Sequence, residues 1–226
     1  MINQRSEGIV NNFNKYTYHI FGCGAIGSST TLQLVRMGAE SIVLYDMDKV
    51  EDANIGVSQY DNSHITLPKT TALKAICKSI NPDVRVLEVQ GEFNHPRQYK
   101  YTTKDIAILG FDSMKTRLYA VKCILSISQP DYLIDARMGS QTLQQYVIPN
   151  PTLSQYKKTW YSDEKGDSEP CNAKATSYCS NMIGSFICDT IKKILKKELI
   201  YGEMLFDFPS FIFDYNHPIR IKELKF

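Results

Sequence analysis

The sequence predicts a single α/β domain of three layers, with a mostly parallel sheet that ends in an antiparallel C-terminal extension. Short apolar runs alternate with stretches of helical period, which is the pattern of β-α-β units. The final apolar run instead alternates with period two, as a hairpin does. A length of 226 residues suits one domain. We therefore expect residues 1–226 to form one domain.

The first predicted β-α-β unit surrounds a glycine-rich turn. A β-branched and aromatic run over residues 16–21 predicts a strand that ends at this turn. Residues 28–37 have an apolar helical face, so we expect a helix there, capped by Ser28 and ended by Gly38. Residues 41–45 form the second predicted strand.

The same alternation continues to the end of the chain. Pro, Ser, Asp, Glu and Gly crowd together over about residues 149–171, which predicts a mobile crossover loop. The aromatic residues near the end predict a hairpin that contributes to the core or to a dimer contact: Phe206, Phe208, Phe211, Phe213 and Tyr215. The other predicted elements are helices over 69–80, 114–128 and about 173–197, and strands over 84–89, 105–110, 132–135 and 142–148.

The glycine turn predicts a nucleotide site. Gly22, Gly24 and Gly27 stand after a strand and before a helix, so the backbone can approach a phosphate at the helix N-terminus. Asp46, at the end of the next strand, is placed to bind a ribose hydroxyl. These features indicate a Rossmann-like fold, and they also fit an NAD-dependent oxidoreductase, which stays an alternative.

Residues beyond this unit favour ATP with Mg²⁺. Asp46, Asp48 and Asn54 follow the second strand, Lys69 opens the next helix, and Asp112 follows the fourth strand. The carboxyl ends of parallel strands face one crevice. There a lysine can neutralise phosphate charge and an aspartate can hold Mg²⁺, whereas hydride transfer requires neither.

Each of these residues also has an ordinary structural explanation. Asp48 and Lys69 fit solvated surface charges, Asn54 fits a turn, and Asp112 fits the N-cap of the helix that follows it. Their joint placement at one edge of the sheet favours the functional interpretation.

The ordered set of motifs resembles the ThiF/MoeB/HesA family, the bacterial relatives of ubiquitin-activating enzymes, over roughly residues 17–215. The resemblance implies that a protein's C-terminal carboxylate attacks the α-phosphate of ATP, giving an acyl-adenylate and pyrophosphate, often followed by transfer to a thiol. The motifs that carry it are Gly22-Cys-Gly-Ala-Ile-Gly-Ser28, residues 44–54, Pro68-Lys69, Asn81-Pro82 and Phe111-Asp-Ser-Met-Lys-Thr-Arg117.

The resemblance also implies roles for individual residues. Asp46 would hold the ribose, Asn54 and Lys69 the phosphates, and Asp112 the Mg²⁺. Arg117 matches a family arginine that we interpret as structural support. The implied partners are a small β-grasp protein, either ubiquitin-like or a sulfur carrier, and a second copy of the chain in a homodimer.

The sequence departs from the family at one motif. The family pattern Asn-x-x-Arg-Gln is replaced by Asn54-Ile-Gly-Val-Ser-Gln59, which lacks the arginine that stabilises the phosphates. Either another basic group substitutes for it, with Lys49, Arg137 and a partner's Arg5 as candidates, or the protein is slow, specialised or inactive. A degenerate nucleotide-binding partner protein is therefore a further alternative.

Cys171 is the candidate thioester cysteine, because it follows the crossover and opens the long helix, as in compact activating enzymes of ubiquitin-like modifiers. Unpaired N–H groups at a helix N-terminus stabilise a thiolate and make it a better nucleophile. The alternative is that Cys171 only packs under the loop. Cys179 and Cys188 fall within the helix pattern and are predicted to be core, and Cys23 is predicted to face the sheet or the neighbouring helix.

Composition narrows the class further. A net charge of +2 gives no footprint for nucleic acid or an anionic membrane. The six cysteines lie mostly in apolar stretches without a Cys-x-x-Cys pair, so we expect a cytoplasmic protein without a thiolate zinc site. No apolar run reaches the length of a membrane helix, and His19 is expected to be a core residue.

Overall fold

A computed structural model describes residues 4–6, 8–91, 104–127, 129–165 and 175–221. Its central feature is an eight-stranded sheet with the strand order β3-β2-β1-β4-β5-β6-β7-β8. The strands are β1 (Thr17–Phe21), β2 (Ser41–Asp46), β3 (Arg85–Gln90), β4 (Asp105–Leu109), β5 (Tyr132–Met138), β6 (Thr142–Pro149), β7 (Leu199–Asp207) and β8 (Ile212–Arg220). The first five pair in parallel and the last three are antiparallel, which confirms the predicted mixed sheet.

Helices cover both faces of this sheet and complete the three layers. The α-helices are α1 (Ala25–Arg36), α2 (Asp52–Ile55), α3 (Lys69–Ile80), α4 (Met114–Ile127), α5 (Leu153–Lys157) and α6 (Ser177–Lys196). The apolar sides of α1, α3 and α6 share one core cluster, and those of α4 and α5 share a second. In β1, Ile20 belongs to the first cluster and Phe21 to the second, as expected for a strand buried on both faces.

The start of α1 differs from the prediction. The helix begins at Ala25 with Gly24 as its N-cap, so the prediction that Ser28 caps it is wrong. Ser28 is fully buried, and its Oγ accepts a hydrogen bond from the backbone N–H of Gln59 at 3.1 Å. The helix thus begins three residues before the predicted start, directly after the glycine turn and without a side-chain cap. The helix ends at Arg36, and Gly38 follows with a φ of 93°, which supports the predicted stop.

The crossover segment is more regular than the sequence indicates. The helix α5 lies where a loop was predicted, with Thr152 and Gln155 forming a capping box and Tyr156 fully buried. Asp163 then accepts hydrogen bonds from the backbone N–H groups of Met114 (2.6 Å) and Lys115 (3.2 Å) at the start of α4. The loop prediction is therefore wrong for residues 153–157.

The predicted C-terminal hairpin is present as β7 and β8. Phe206 is buried in the core, whereas Phe213 and Tyr215 are about half exposed and Phe211 is 80% exposed. None of the helices in the described ranges has the length and apolar character needed to cross a lipid bilayer.

Candidate functional site

The glycine turn joins the carboxyl end of β1 to the start of α1. Gly22 has a φ of 94°, which favours glycine, and a Cβ on Gly27 would overlap the carbonyl oxygen of Gly22. A Cβ on Gly24, in contrast, would meet no heavy atom of the described residues within 4 Å. Gly22 and Gly27 are thus needed by the backbone itself, while Gly24 leaves open space at the end of the helix.

That open space lies at the positive end of α1. The first backbone N–H groups of any α-helix have no partner within the helix, and the dipole places partial positive charge there. In the described part of the chain, Gly24 caps α1 without a side-chain hydrogen bond. The turn is therefore able to receive an anionic group such as a phosphate.

Asp46 fastens the end of β2 to this turn. Its Oδ2 accepts a hydrogen bond from the backbone N–H of Cys23 at 2.6 Å, and its Oδ1 accepts one from that of Asp48 at 2.8 Å. Burial raises the pKa of Asp46, and these two N–H donors offset only part of that effect. Each carboxylate oxygen keeps a second lone pair, so the group can also accept from a ribose hydroxyl.

Lys69 and Asp48 form an ion pair beside the turn. The Nζ of Lys69 donates to Oδ2 of Asp48 at 2.9 Å, and only 9% of Lys69 is exposed. Burial lowers the pKa of Lys69, but the hydrogen bond to Asp48 and the charge of Asp46 outweigh it, so the pKa is raised overall. Lys69 is therefore held in its charged form.

Tyr60 connects these parts, and sequence reasoning missed it. Its buried hydroxyl donates to the carbonyl oxygen of Cys23 at 2.6 Å and lies 3.2 Å from that of Lys69. It thus fixes the spacing between the glycine turn and the start of α3. A single tyrosine in a loop gives no sequence signal for such a contact. Tyr60 directly follows residues 54–59, the segment that replaces the family's Asn-x-x-Arg-Gln motif.

Asp112 lies on the neighbouring strand end and is exposed. The backbone N–H of Gly110, just before it, donates to the carbonyl oxygen of Phe21 at 2.8 Å, which holds the end of β4 against the glycine turn. Asp163 and Ser113, rather than Asp112, bind the N–H groups at the start of α4. The N-cap alternative for Asp112 is therefore wrong, and the residue lies exposed at the same sheet edge.

The side chain of Asn54 makes a local hydrogen bond at a helix start. Its Oδ1 accepts a hydrogen bond from the backbone N–H of Glu51 at 3.0 Å, in a capping box at the start of α2. The structure thus brings together the glycine turn, Asp46, Asp48 and Lys69, with Asp112 at the adjoining strand end. The phosphate contact of Asn54 stays a prediction.

Two arginines and one aspartate lie buried beneath this edge. Arg117 forms an ion pair with Asp135 and donates to the carbonyl oxygen of Phe111, which agrees with its predicted structural role. Arg137 donates from Nε and Nη2 to Asp135 (3.1 and 2.6 Å) and from Nη1 to the carbonyl oxygen of Thr159 (2.9 Å). Burial lowers the pKa of Arg137, but Asp135 raises it more.

These contacts weaken one candidate for the missing arginine. The guanidinium of Arg137 is committed to β5 and the crossover segment, and only 6% of the residue is exposed. It therefore serves to tie the crossover to the sheet rather than to bind a phosphate. Lys49 and Arg5 are both exposed and stay candidates.

Three of the cysteines discussed above are buried in the described part of the chain, and the fourth lies outside it. Cys179 and Cys188 are buried in the core, as predicted, and Cys23 is buried between β1 and α1. Burial raises the pKa of Cys23 and of Cys188, which makes these thiols poor nucleophiles. Cys171, the candidate thioester cysteine, lies outside the described residues. The long helix α6 begins at Ser177, so the prediction that Cys171 opens this helix is wrong.

His19 is a core residue, as predicted. It is 3% exposed, and its Nδ1 lies 2.7 Å from the Tyr45 hydroxyl, while its Nε2 lies 3.4 Å from Oδ1 of Asp105.

The fold is a Rossmann-type α/β domain, and the family model described as "ThiF family" matches residues 3–219. The chain therefore belongs to the ThiF family. Its similarity to ubiquitin-like modifier-activating enzyme 5 is 38% identity over 82 residues for the Bombyx mori protein and 37% over 81 residues for that of Xenopus laevis. These matches cover 35% and 34% of this chain, and 21% and 20% of those proteins.

Solved structures share the fold at lower identity. The crystal structure of PaaA superposes with a TM-score of 0.70 at 19% identity, and that of E. coli MccB with ATP with a TM-score of 0.70 at 15% identity. Each superposition covers 91% of this chain and 64% of the other. The chain thus spans less than two thirds of these structures.

Proposed function

We propose that this chain adenylates the C-terminal carboxylate of a small ubiquitin-like or sulfur-carrier protein, with Mg-ATP as cosubstrate. The observation that carries the proposal is the assembly of the open Gly24 position, Asp46 and the Lys69–Asp48 pair around one turn. Membership of the ThiF family supports it, as do a structural neighbour crystallised with ATP and relatives named for activating ubiquitin-like modifiers. The same membership favours adenylation over the NAD-dependent alternative.

The residues divide the work of binding ATP. The N-terminus of α1 receives a phosphate at Gly24, and the protonated Lys69 neutralises charge on the neighbouring phosphates. Asp48 orients the Lys69 ammonium, and Asp46 binds the ribose while it keeps the turn in place. Asp46 and Gly24 lie close together at the turn, so the ribose and the first phosphates would bind side by side there.

Asp112 suits a magnesium ion held between the protein and the phosphates. Among the described residues, no group of three or more His, Cys, Asp or Glu side chains is arranged to hold a metal. Mg²⁺ typically binds through one or two carboxylates together with substrate phosphates, so a single exposed aspartate fits. Bound there, the ion would neutralise charge that develops on the leaving pyrophosphate.

The reaction exchanges one phosphorus–oxygen bond for another. An oxygen of the substrate carboxylate bonds to the α-phosphorus, the bond to the β-phosphate oxygen breaks, and pyrophosphate leaves. We propose that the Cys171 thiolate then attacks the acyl carbon and releases AMP, which forms a thioester. The two steps depend on different residues, so they can be separated by mutation.

The missing arginine favours a second candidate function. Residues 55–59 contain no basic group, and Arg137 is committed elsewhere. A degenerate relative that binds ATP without adenylating would show this pattern. In the active alternative, Lys49 or the Arg5 of a second protomer in a homodimer supplies the charge.

Exchange of labelled pyrophosphate into ATP tests the proposal, with a β-grasp carrier protein that ends in Gly-Gly as the acceptor. We expect Asp112→Ala and chelation of Mg²⁺ each to reduce exchange by about a hundredfold or more. Asp83→Ala, which removes an exposed aspartate at the opposite sheet edge, is the matched control and should leave exchange unchanged. Cys171→Ala should keep exchange and lose only the thioester.

The alternatives give other results. Tight ATP binding by wild-type protein without exchange would establish the degenerate relative. Thermal stabilisation by NAD⁺ but not by Mg-ATP would establish the oxidoreductase. Equal loss of exchange in Asp112→Ala and Cys171→Ala would contradict the assignment of separate roles.

A further inference from the structure

We infer that a cavity at the amino edge of the sheet, opposite the nucleotide site, binds a small carboxylate that carries an apolar ring. The cavity has a volume of about 140 Å³ and lies between the starts of β4 and β5 and the end of α6. Two tyrosines and three aliphatic residues form its apolar lining: Tyr16, Tyr132, Ile194, Leu195 and Ile221. Three lysines complete the lining: Lys15, Lys104 and Lys197.

The charge around the cavity favours an anion. All three lining lysines are exposed and come from separate parts of the chain, so the fold rather than the local sequence brings them together. The opposing charges nearby are the half-buried Asp131, which interacts electrostatically with Lys104, and the buried Asp105, which interacts with Asp131. The positive charges therefore exceed the negative charge at this edge.

The wall of the cavity also contains a buried polar group, the hydroxyl of Tyr132. Tyr132 is 1% exposed, and within the described residues its hydroxyl makes no hydrogen bond. A buried hydroxyl without a partner is costly, and burial raises its pKa, so it remains an O–H donor. The hydroxyl is covered in this structure, so a carboxylate oxygen in the cavity would accept its hydrogen bond once the Tyr132 side chain turns towards it.

The volume of the cavity suits a body of single-ring size. An apolar cavity of about 150 Å³ in another protein holds one benzene molecule. The lining of Ile194, Leu195 and Ile221 with the ring of Tyr16 suits such a body, and the lysines suit its carboxylate. Benzoate combines both features and serves as the probe.

The site is separate from the proposed adenylation chemistry. The strand β4 runs from Asp105 near the cavity to Leu109 near the glycine turn, roughly 13 Å away at 3.3 Å per residue. Binding here can therefore be measured without ATP, and its failure would leave the proposed function untouched.

Titration of the whole protein with benzoate, followed by amide chemical shifts, tests the inference. We expect saturable shifts around Tyr132 and Ile194, with weaker binding of benzamide, which lacks the charge, and of phosphate, which lacks the ring. Lys15→Gln and Lys104→Gln should each weaken benzoate binding about threefold, and the double variant about tenfold. Lys157→Gln, at an exposed lysine on α5, is the matched control and should change nothing.

Two further variants make the test sharper. Asp131→Asn removes one of the opposing carboxylates and should tighten benzoate binding about twofold. Tyr132→Phe should weaken it about threefold while the protein without ligand becomes no less stable, because only the buried hydroxyl, which makes no hydrogen bond within the described residues, is lost. Equal binding of benzoate and benzamide, lysine variants that match Lys157→Gln, or shifts confined to the glycine turn would each overturn the inference.

Discussion

The central strand β4 and the edge strand β8 use their residues in opposite ways. All five residues of β4 are buried, and its end supports the glycine turn. Almost every residue of the edge strand β8 is exposed, although Phe213 and Tyr215 are aromatic. The comparison teaches that β4 fixes the geometry of the glycine turn, where the position of single atoms matters, whereas the edge strand β8 presents a surface that tolerates substitution.

The sharpest test of this rigidity uses two glycines of the same turn. Gly27→Ala places a methyl group onto the carbonyl oxygen of Gly22, a backbone atom that cannot move aside cheaply. We expect it to lower the free energy of unfolding by about 4 kcal/mol or more, or to prevent folding. Chemical denaturation followed by circular dichroism measures the loss.

Gly24→Ala is the matched control for this effect. A Cβ at Gly24 projects into space where no described residue lies, so the variant should fold normally. It should nevertheless weaken ATP binding, because the added methyl group occupies the space proposed for a phosphate. Comparable stability losses in both variants would contradict the division between fold and ligand.

The next effect concerns the buried aspartate below the site. Asp135→Asn leaves the buried guanidinium groups of Arg117 and Arg137 without their counter-charge. We expect a loss of about 3 kcal/mol in the free energy of unfolding, since breaking a buried ion pair exposes the full desolvation cost. Urea denaturation measures it.

A surface ion pair provides the comparison for Asp135. Asp189 on α6 pairs with Lys192 and Lys193 at 2.8 Å, but it is partly exposed. Asp189→Asn should cost less than about 1 kcal/mol, because water screens the pair. Similar losses at Asp135 and Asp189 would show that burial does not set the strength of these pairs.

The sequence predicts the fold well wherever signals are local. The bounds of α3 agree with the prediction because Asn81-Pro82 stops a helix for steric reasons. The glycine turn is readable because only glycine fits a positive φ or a close backbone approach, as at Gly22 and Gly27. The position of Asp46 at the end of β2 is predictable because the β-α-β unit has a regular length.

The parts that the sequence does not predict depend on contacts between distant segments. Tyr60 bridges the glycine turn and α3. Asp163 accepts a hydrogen bond at the N-terminus of α4, from a residue that lies 49 positions earlier in the chain. Polar composition suggests a loop around α5, but burial of Tyr156 against α4 stabilises a helix there. Arg137 is a plausible phosphate ligand by position alone, and only its pairing with Asp135 and Thr159 argues otherwise.

The last expected effect lies in the hairpin, at Phe211. This residue has a φ of 53°, in the left-handed region that is costly for side chains, and it is 80% exposed. Phe211→Gly relieves the backbone strain, whereas Phe211→Ala removes the same ring and keeps the strain. We therefore expect the glycine variant to be the more stable of the two by about 1 kcal/mol in thermal or urea unfolding. Equal stability of the two variants would show that the turn relaxes freely, which is the behaviour expected of a surface that tolerates change even in its backbone.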